Sequence, residues 1–321
     1  MRKTADKIKS YLFTYPLTFV TDEAYQLASL KHAPDMADVI WEVKRALKKG
    51  IAPERSLSGT SGTFFLKDCE GEPIAVFKKE HCLHELAAYR LDYKHFAGVP
   101  QTALTTLEHP LLEGKQTGSC QMFVHDSMEA MKIDRSRYHE LSASSIRRIA
   151  SLDIRMMNED RHSSNILVIN QKEIIPIDHG FIFPRDLSRI YMSWIDWNQA
   201  STNFTERELS YISLLDAEQD RRMLMEEMHF EEIFANRLYV ATVLLKLFAI
   251  RGKTPQEIGK LMSCTQPVAK ESSRFEYVLE KIRKRNPPNW ALFSRYVYEE
   301  VEKFLDHYEK ISESEDQQTY C

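Results

Sequence analysis

Apolar side chains recur at helical spacing early in the chain. Met36, Val39, Ile40, Val43 and Leu47 share one helical face within a region, residues 1–50, that reads as helical after a short lead. Asp35, just after Pro34, is placed to cap this helix and Gly50 to stop it. From Leu57 the period changes. Phe64–Leu66 and Ile74–Phe77 are short apolar runs on either side of polar Lys67–Pro73, which predicts a β-hairpin. Helical spacing returns over His84–Tyr93, with Leu86, Ala87, Tyr89 and Leu91 as the apolar set. Gly118–Val124 predicts a further strand, followed by polar His125, Asp126 and Ser127. A helix opened by Ser142 or Ser144 runs to about Asp153, and Ile166–Ile169 with Ile174–Ile177 predicts a second hairpin.

Beyond Thr205 nearly everything reads as helix. The clearest boundary lies at Gly252, where one helix ends; Thr254 caps the next, Pro255 takes its first position and Glu257 closes a capping box. The polar stretch from Ser312 predicts a disordered tail over 312–321. The element order therefore predicts an α+β chain: a helical extension (1–52), a small β-rich lobe (53–124) and a larger, mostly helical lobe (125–311), the two lobes packing around a cleft.

Composition narrows the function classes. With 43% hydrophobic and 28% charged residues in 321, the chain is neither a disordered regulator nor a fibrous repeat. A net charge of −4 offers no global field for nucleic acid. The longest apolar run, Leu238–Ile250, is interrupted by Lys246 and falls short of the roughly 18 residues a membrane span needs, so no transmembrane segment is expected. The opening MRKTADKIKS lacks the form of a secretory signal. Five scattered cysteines without metal spacing predict free thiols in a reducing, cytoplasmic compartment.

Glycine is scarce and concentrated. Only ten occur, yet seven lie between Gly59 and Gly180, where turns and close backbone approaches must therefore cluster. The first candidate constellation opens that region. Gly59, Thr60, Ser61 and Gly62 form a small-residue turn whose N–H groups suit phosphate oxygens. Lys78 follows on a strand face shared with Val76 and Ile74, which would lie over an adenine ring while the ammonium reaches the phosphates. Glu85, on the next helix, is the expected carboxylate partner of Lys78, with Glu80 as its competitor.

The strongest constellation is the loop Asn158–Asn165, followed by the hairpin strand that ends in Asp178, His179 and Gly180. Phosphoryl transfer needs a carboxylate near the acceptor hydroxyl and oxygen ligands for Mg²⁺; Asp160 suits the first role, Asn165 and Asp178 the second. Gly180 is expected to let the chain turn sharply after the metal ligand.

Taken in order, GTSGTFFLKD (59–68), IAVFKK (74–79), ELAAYRLDYKHFAGVP (85–100), GSCQMFV (118–124), LDIRMMNEDRHSSNILV (152–168), IPIDHGFIFP (175–184) and WIDWNQAS (194–201) resemble the phosphatidylinositol 3-/4-kinase-like superfamily. The resemblance is strongest to plant gamma-type and type II phosphatidylinositol 4-kinases. It implies a two-lobed protein-kinase-like fold that binds ATP and Mg²⁺. Under it Lys78 holds phosphates, Glu85 pairs with it, Gln121, Met122, Phe123 and Val124 form the adenine-contacting hinge, and Asp160 serves the acceptor. Asn165 and Asp178 bind magnesium, and His162 of the Asp-Arg-His motif assists the acceptor or holds the loop.

Two departures bear on the acceptor. Only Lys79–His84 separates the lysine strand from the next helix, where related lipid kinases carry a long insertion. Phe181–Asn198 offers Arg185 and Arg189 as its basic residues, offset by Asp186 and Asp196. These favour a protein serine or threonine, or another soluble acceptor. Phosphatidylinositol, with a location peripheral to membranes, is the alternative, and a nucleotide-binding pseudokinase or an adaptor is the further one. The expected partners are ATP, the acceptor and an activating partner that no residue identifies. Trp194 and Trp197 read as core anchors, and the basic run Lys281–Arg285 as a solvated helix end.

Overall fold

Alternating burial along Thr63–Lys67 (β2) and Pro73–Lys78 (β3) closes the first hairpin, with Leu66, Ala75 and Phe77 fully buried beneath it. The computed structural model describes residues 17–56, 62–263 and 273–319. Gly59, Thr60 and Ser61 lie outside these residues; Gly62 lies within them.

Two compact units emerge. The first comprises the described residues up to Glu80 together with Gln101–Phe123. Its antiparallel sheet has the order β1-β2-β3-β5-β4, with β1 at Glu54–Arg55, β4 at Thr102–His109 and β5 at Gly114–Met122. The helical residues before it are no separate extension. Helices α1 (Glu23–Leu30) and α2 (Met36–Lys48) pack on this sheet: Ser29 Oγ accepts from Leu104 N at 2.9 Å and Glu42 Oε1 from Cys69 N at 3.1 Å. Asp35 stands at the N-terminus of α2 without capping it; its carboxylate accepts instead from Gln101 Nε2 at 2.6 Å. Gly50 follows the helix end at φ +86°, as a left-handed stop requires.

The second unit comprises His81–Pro100 and the residues from Val124 onward. Helix α3 (Cys82–Leu91) therefore belongs here, not to the β-rich lobe in which 53–124 placed it. Ser142 opens α4 (Ala143–Met156), its Oγ accepting from Ser145 N at 3.2 Å. Strands β6 (Ser127–Glu129), β7 (Ile166–Ile169) and β8 (Glu173–Pro176) form a small antiparallel sheet. The helices α5 (Glu206–Leu214), α6 (Ala217–Arg222), α7 (Glu232–Ile250), α8 (Pro255–Met262), α9 (Arg274–Lys284) and α10 (Trp290–Thr319) complete it.

Helix α7 is marginally long and apolar enough, by length and composition alone, to cross a membrane, but two thirds of its apolar window is buried in the core of this unit, and no clear membrane span is present among the described residues. The capping box at Thr254 and Glu257 forms as expected. Helix α10 runs to Thr319, so the stretch expected to be disordered is helical almost to its end. The basic run closes α9, where Arg285 pairs with Glu299 and Glu300 and lies 3.5 Å over the Tyr296 ring. Cys69, Cys82 and Cys120 are free thiols; burial raises Cys82 to about 11 and Cys120 to about 12.

Candidate active site

In the first unit the chemistry gathers at the end of β3. Ala75 and Phe77 point into the core, so Ile74, Val76 and Lys78 share the other face, as period two demands. Lys78 is itself 8% exposed and pairs in register with Thr63 and Ser119. Gly118, beside Ser119 on β5, makes room for this strand: a Cβ there would run into the Lys78 carbonyl oxygen and come within 2.8 Å of the Phe77 ring. Along the expected hinge, Gln121 Nε2 donates to Thr102 Oγ1 at 2.9 Å. Met122 N donates to Gln101 O at 2.8 Å and Phe123 N to Ile74 O at 3.0 Å. Those two backbone donors are spent on neighbouring main-chain carbonyls.

In the second unit the loop after α4 is held from below. Met157 takes the left-handed conformation at φ +52° and turns the chain out of the helix. Asp153, fully buried one turn earlier, then gathers the loop. Its Oδ1 accepts from Asn158 Nδ2 at 2.9 Å, and its Oδ2 accepts from Arg161 Nε at 3.0 Å and Trp194 Nε1 at 3.0 Å. Asn158 Oδ1 in turn accepts from Asp160 N at 3.0 Å. Arg161, also fully buried, spans to the hairpin: its Nη1 donates to Asn165 O at 2.6 Å and to Ile177 O at 2.5 Å.

These bonds bring Asp160, His162, Asn165 and Asp178 together. Ile166 pairs with Pro176 in the β7–β8 ladder and Ile177 N donates to Asn165 O, so Asn165 and Asp178 flank the open end of that hairpin. Asn165 Nδ2 donates to Asp160 O at 2.9 Å, leaving its amide oxygen for a hard cation. His162 Nε2 lies 3.5 Å from Asp160 Oδ1, and its Nδ1 lies 2.5 Å from Ser164 Oγ. The hydrogen bond with Asp160 raises the His162 pKa, aided by the fields of Asp160 and Asp178 and opposed by partial burial. A carboxylate and an amide oxygen are the donor types Mg²⁺ takes, with its remaining positions going to water and phosphate, so the residues fit that ion.

One expectation needs revision. The left-handed residue of the metal turn is Asp178 itself, at φ +55°, and not Gly180. Gly180 is there for close approach, since a Cβ would meet His81 Cβ at 3.3 Å. Glu85 is 1% exposed, and its described bonds run to His179: Oε1 accepts from the backbone N at 3.0 Å and Oε2 lies 3.5 Å from Nδ1. Full burial lowers the His179 pKa, so the imidazole beside Glu85 is neutral.

Asp153 and Arg161 are the positioning residues that residue-by-residue reading passed over. Their signal was a charged residue amid the apolar run Leu152–Ile154 and an arginine between two candidate catalytic groups. The segment after Gly180 is stitched to the same loop, with Phe181 O accepting from Glu159 N at 3.1 Å and Tyr191 O from Arg161 N at 3.0 Å. Trp194 is fully buried and Trp197 nearly so, edge-on to Tyr138 at 4.8 Å. A groove of 680 Å³ opens beside them, lined by residues of the 135–139 and 191–199 segments together with His162 and Ser163.

A buried lysine on an antiparallel sheet, and a loop and hairpin that gather Asp160, His162, Asn165 and Asp178, are groups of the kind phosphoryl transfer uses. The family profile for phosphatidylinositol 3- and 4-kinases matches residues 67–258, and the chain belongs to that family. Phosphatidylinositol 4-kinase gamma 5 of Arabidopsis thaliana is 32% identical over 293 residues, covering 74% of this chain and 46% of that protein. Phosphatidylinositol 4-kinase gamma 4 of Oryza sativa subsp. japonica is 31% identical, covering 78% of this chain and 52% of its own length. The chain thus spans about half the length of these relatives.

Proposed function

We propose that the chain transfers the γ-phosphate of ATP to a hydroxyl of the inositol ring of phosphatidylinositol. The observation that carries this reading is the Asp153–Arg161 lock, which sets Asp160 beside His162 and the Asn165–Asp178 pair in a chain of this family. The relatives' names favour the lipid over the protein serine or threonine suggested by the sparse basic residues of Phe181–Asn198, and they favour the 4-position. The presence of Lys78, Asp160, Asn165 and Asp178 together argues against a pseudokinase.

Lys78 holds the nucleotide phosphates, with the Gly59–Gly62 sequence and the Gln121–Val124 segment as the further candidates for ATP recognition. Asn165 and Asp178 would hold Mg²⁺, which neutralises phosphate charge when bound. The acceptor hydroxyl donates a hydrogen bond to Asp160. Its oxygen forms the new bond to the γ-phosphorus as the bond to the bridging oxygen breaks, ADP leaves with that electron pair, and the hydroxyl proton passes to Asp160. His162, bonded to both Asp160 and Ser164, holds the carboxylate in place. A bilayer-borne acceptor places the enzyme peripherally at a membrane surface.

The test offers labelled ATP and Mg²⁺ to phosphatidylinositol vesicles and to generic proteins in parallel. Label is expected in the lipid and lost in Lys78→Met. Label in protein alone would overturn the reading.

A further inference from the structure

The groove beside His162 has a chemistry of its own. Its 680 Å³ falls within the range of small-molecule sites, about 300–1,000 Å³. Tyr191, 51% exposed, offers an apolar face and the largely buried Trp197 also lines the groove, while Ser193 carries a buried Oγ for which no hydrogen-bond partner is found among the described residues. Aromatic faces interleaved with hydroxyls suit a ring that is apolar on its C–H face and polar at its rim.

The charges are as specific. Arg135, exposed at the start of a short 3-10 turn, lines the groove and makes no hydrogen bond or ion pair among those described. Four other arginines of this unit are engaged elsewhere: Arg137 with Glu140, Arg185 with Glu231, Arg189 with Asp186 and Arg161 with Asp153. Asp196, which also lines the groove, adds one carboxylate. One guanidinium suits one phosphate, and a carboxylate suits the hydroxyls of a neutral polyol.

We propose that Arg135 receives the phosphate of an inositol monophosphate group, lipid-borne or free, whose ring lies along Tyr191 and Trp197 with a hydroxyl directed to the His162 end of the groove. This rests on the lipid-kinase reading above. It assigns the phosphate contact to the segment before α4, outside the Phe181–Asn198 stretch, whose arginines are already paired.

The test compares Arg135→Gln with Arg137→Gln, using phosphatidylinositol vesicles in one arm and soluble inositol 1-phosphate in the other. Losing one charge-assisted phosphate contact should raise the KM for the acceptor about 10- to 100-fold in Arg135→Gln while the KM for ATP stays within about twofold. Arg137→Gln should match the wild type. Whichever arm the wild type turns over identifies the source of the group. A wild type that phosphorylates neither acceptor overturns the lipid-kinase reading and this assignment with it. A wild type active on either, with Arg135→Gln indistinguishable from Arg137→Gln, overturns the assignment alone. Both variants change exposed side chains, and unchanged melting shows that each is folded.

Discussion

Replacing Asp153 by Asn tests the lock at the base of the loop with almost no change in volume. In the native protein Oδ1 faces two donors, Asn158 Nδ2 at 2.9 Å and Arg161 Nε at 3.2 Å, and Oδ2 faces Arg161 Nε and Trp194 Nε1, each at 3.0 Å. Whichever way the new amide turns, its NH₂ meets a donor and the guanidinium loses its counter-charge. Removing one partner of a buried pair costs about 3–5 kcal/mol. At about 2–4 °C per kcal/mol for a unit of this size, the second unit should melt roughly 6–20 °C lower. Tryptophan fluorescence during thermal and urea unfolding reads this out, because Trp194 is itself a partner. Turnover should fall further than stability explains, since Asn158 also positions the Asp160 backbone. The double variant Asp153→Leu/Arg161→Met separates the two effects: it removes the unpaired charge and should regain stability, yet stay inactive because the strut to Asn165 and Ile177 is gone. A melting shift below about 2 °C in Asp153→Asn, or a double variant with wild-type turnover, would refute the reasoning.

Gly118→Ala should weaken ATP binding through a displaced Lys78 strand and cost about 1–3 kcal/mol of overpacking; wild-type KM for ATP would show that the strand tolerates the methyl. Asp178→Ala should lose Mg²⁺-dependent turnover more completely than Asn165→Ala, because an amide neutralises no charge; magnesium titrations of both variants decide it, and equal, mild losses would mean the metal sits elsewhere. His84 is buried and its pKa is lowered from 6.5 to about 3, mainly by burial and then by His81. Its folded value lies below its unfolded one, so the unfolded chain binds the extra proton and stability falls as pH drops from about 6.5 towards 3. His84→Phe should flatten that slope in urea titrations at stepped pH, and an unchanged slope would contradict the assignment.

Both hairpins and the helices capped by Ser142 and Thr254 were legible in the sequence because their signals are local: alternation, a polar turn, a capping residue at fixed spacing. What escaped it is set by tertiary context. Strand β4 hides in the threonine-rich Thr102–His109, whose alternation is masked because Ala103, Leu104 and Thr105 are all buried. Asp35 reads as a cap but finds a stronger partner in Gln101, distant in sequence. The polar residues from Ser312 read as a tail, yet the backbone simply continues α10. At the site, Asp160, His162, Asn165 and Asp178 stood out by type and order, whereas the bonds of Asp153 to Asn158, Arg161 and Trp194 join segments that only folding brings together.

The central claim, that the Asp160 loop of the second unit transfers phosphate to an inositol hydroxyl, is tested most directly by lipid turnover in Asp160→Asn beside His162→Ala and their double variant. The account predicts that Asp160→Asn keeps ATP affinity within a few-fold while turnover on phosphatidylinositol vesicles falls by about 10²–10⁴, the usual worth of a general base. His162→Ala should fall less, and the double variant should match Asp160→Asn. A mostly active Asp160→Asn enzyme beside a His162→Ala enzyme as inert as the double variant would contradict the account and move the base to the histidine.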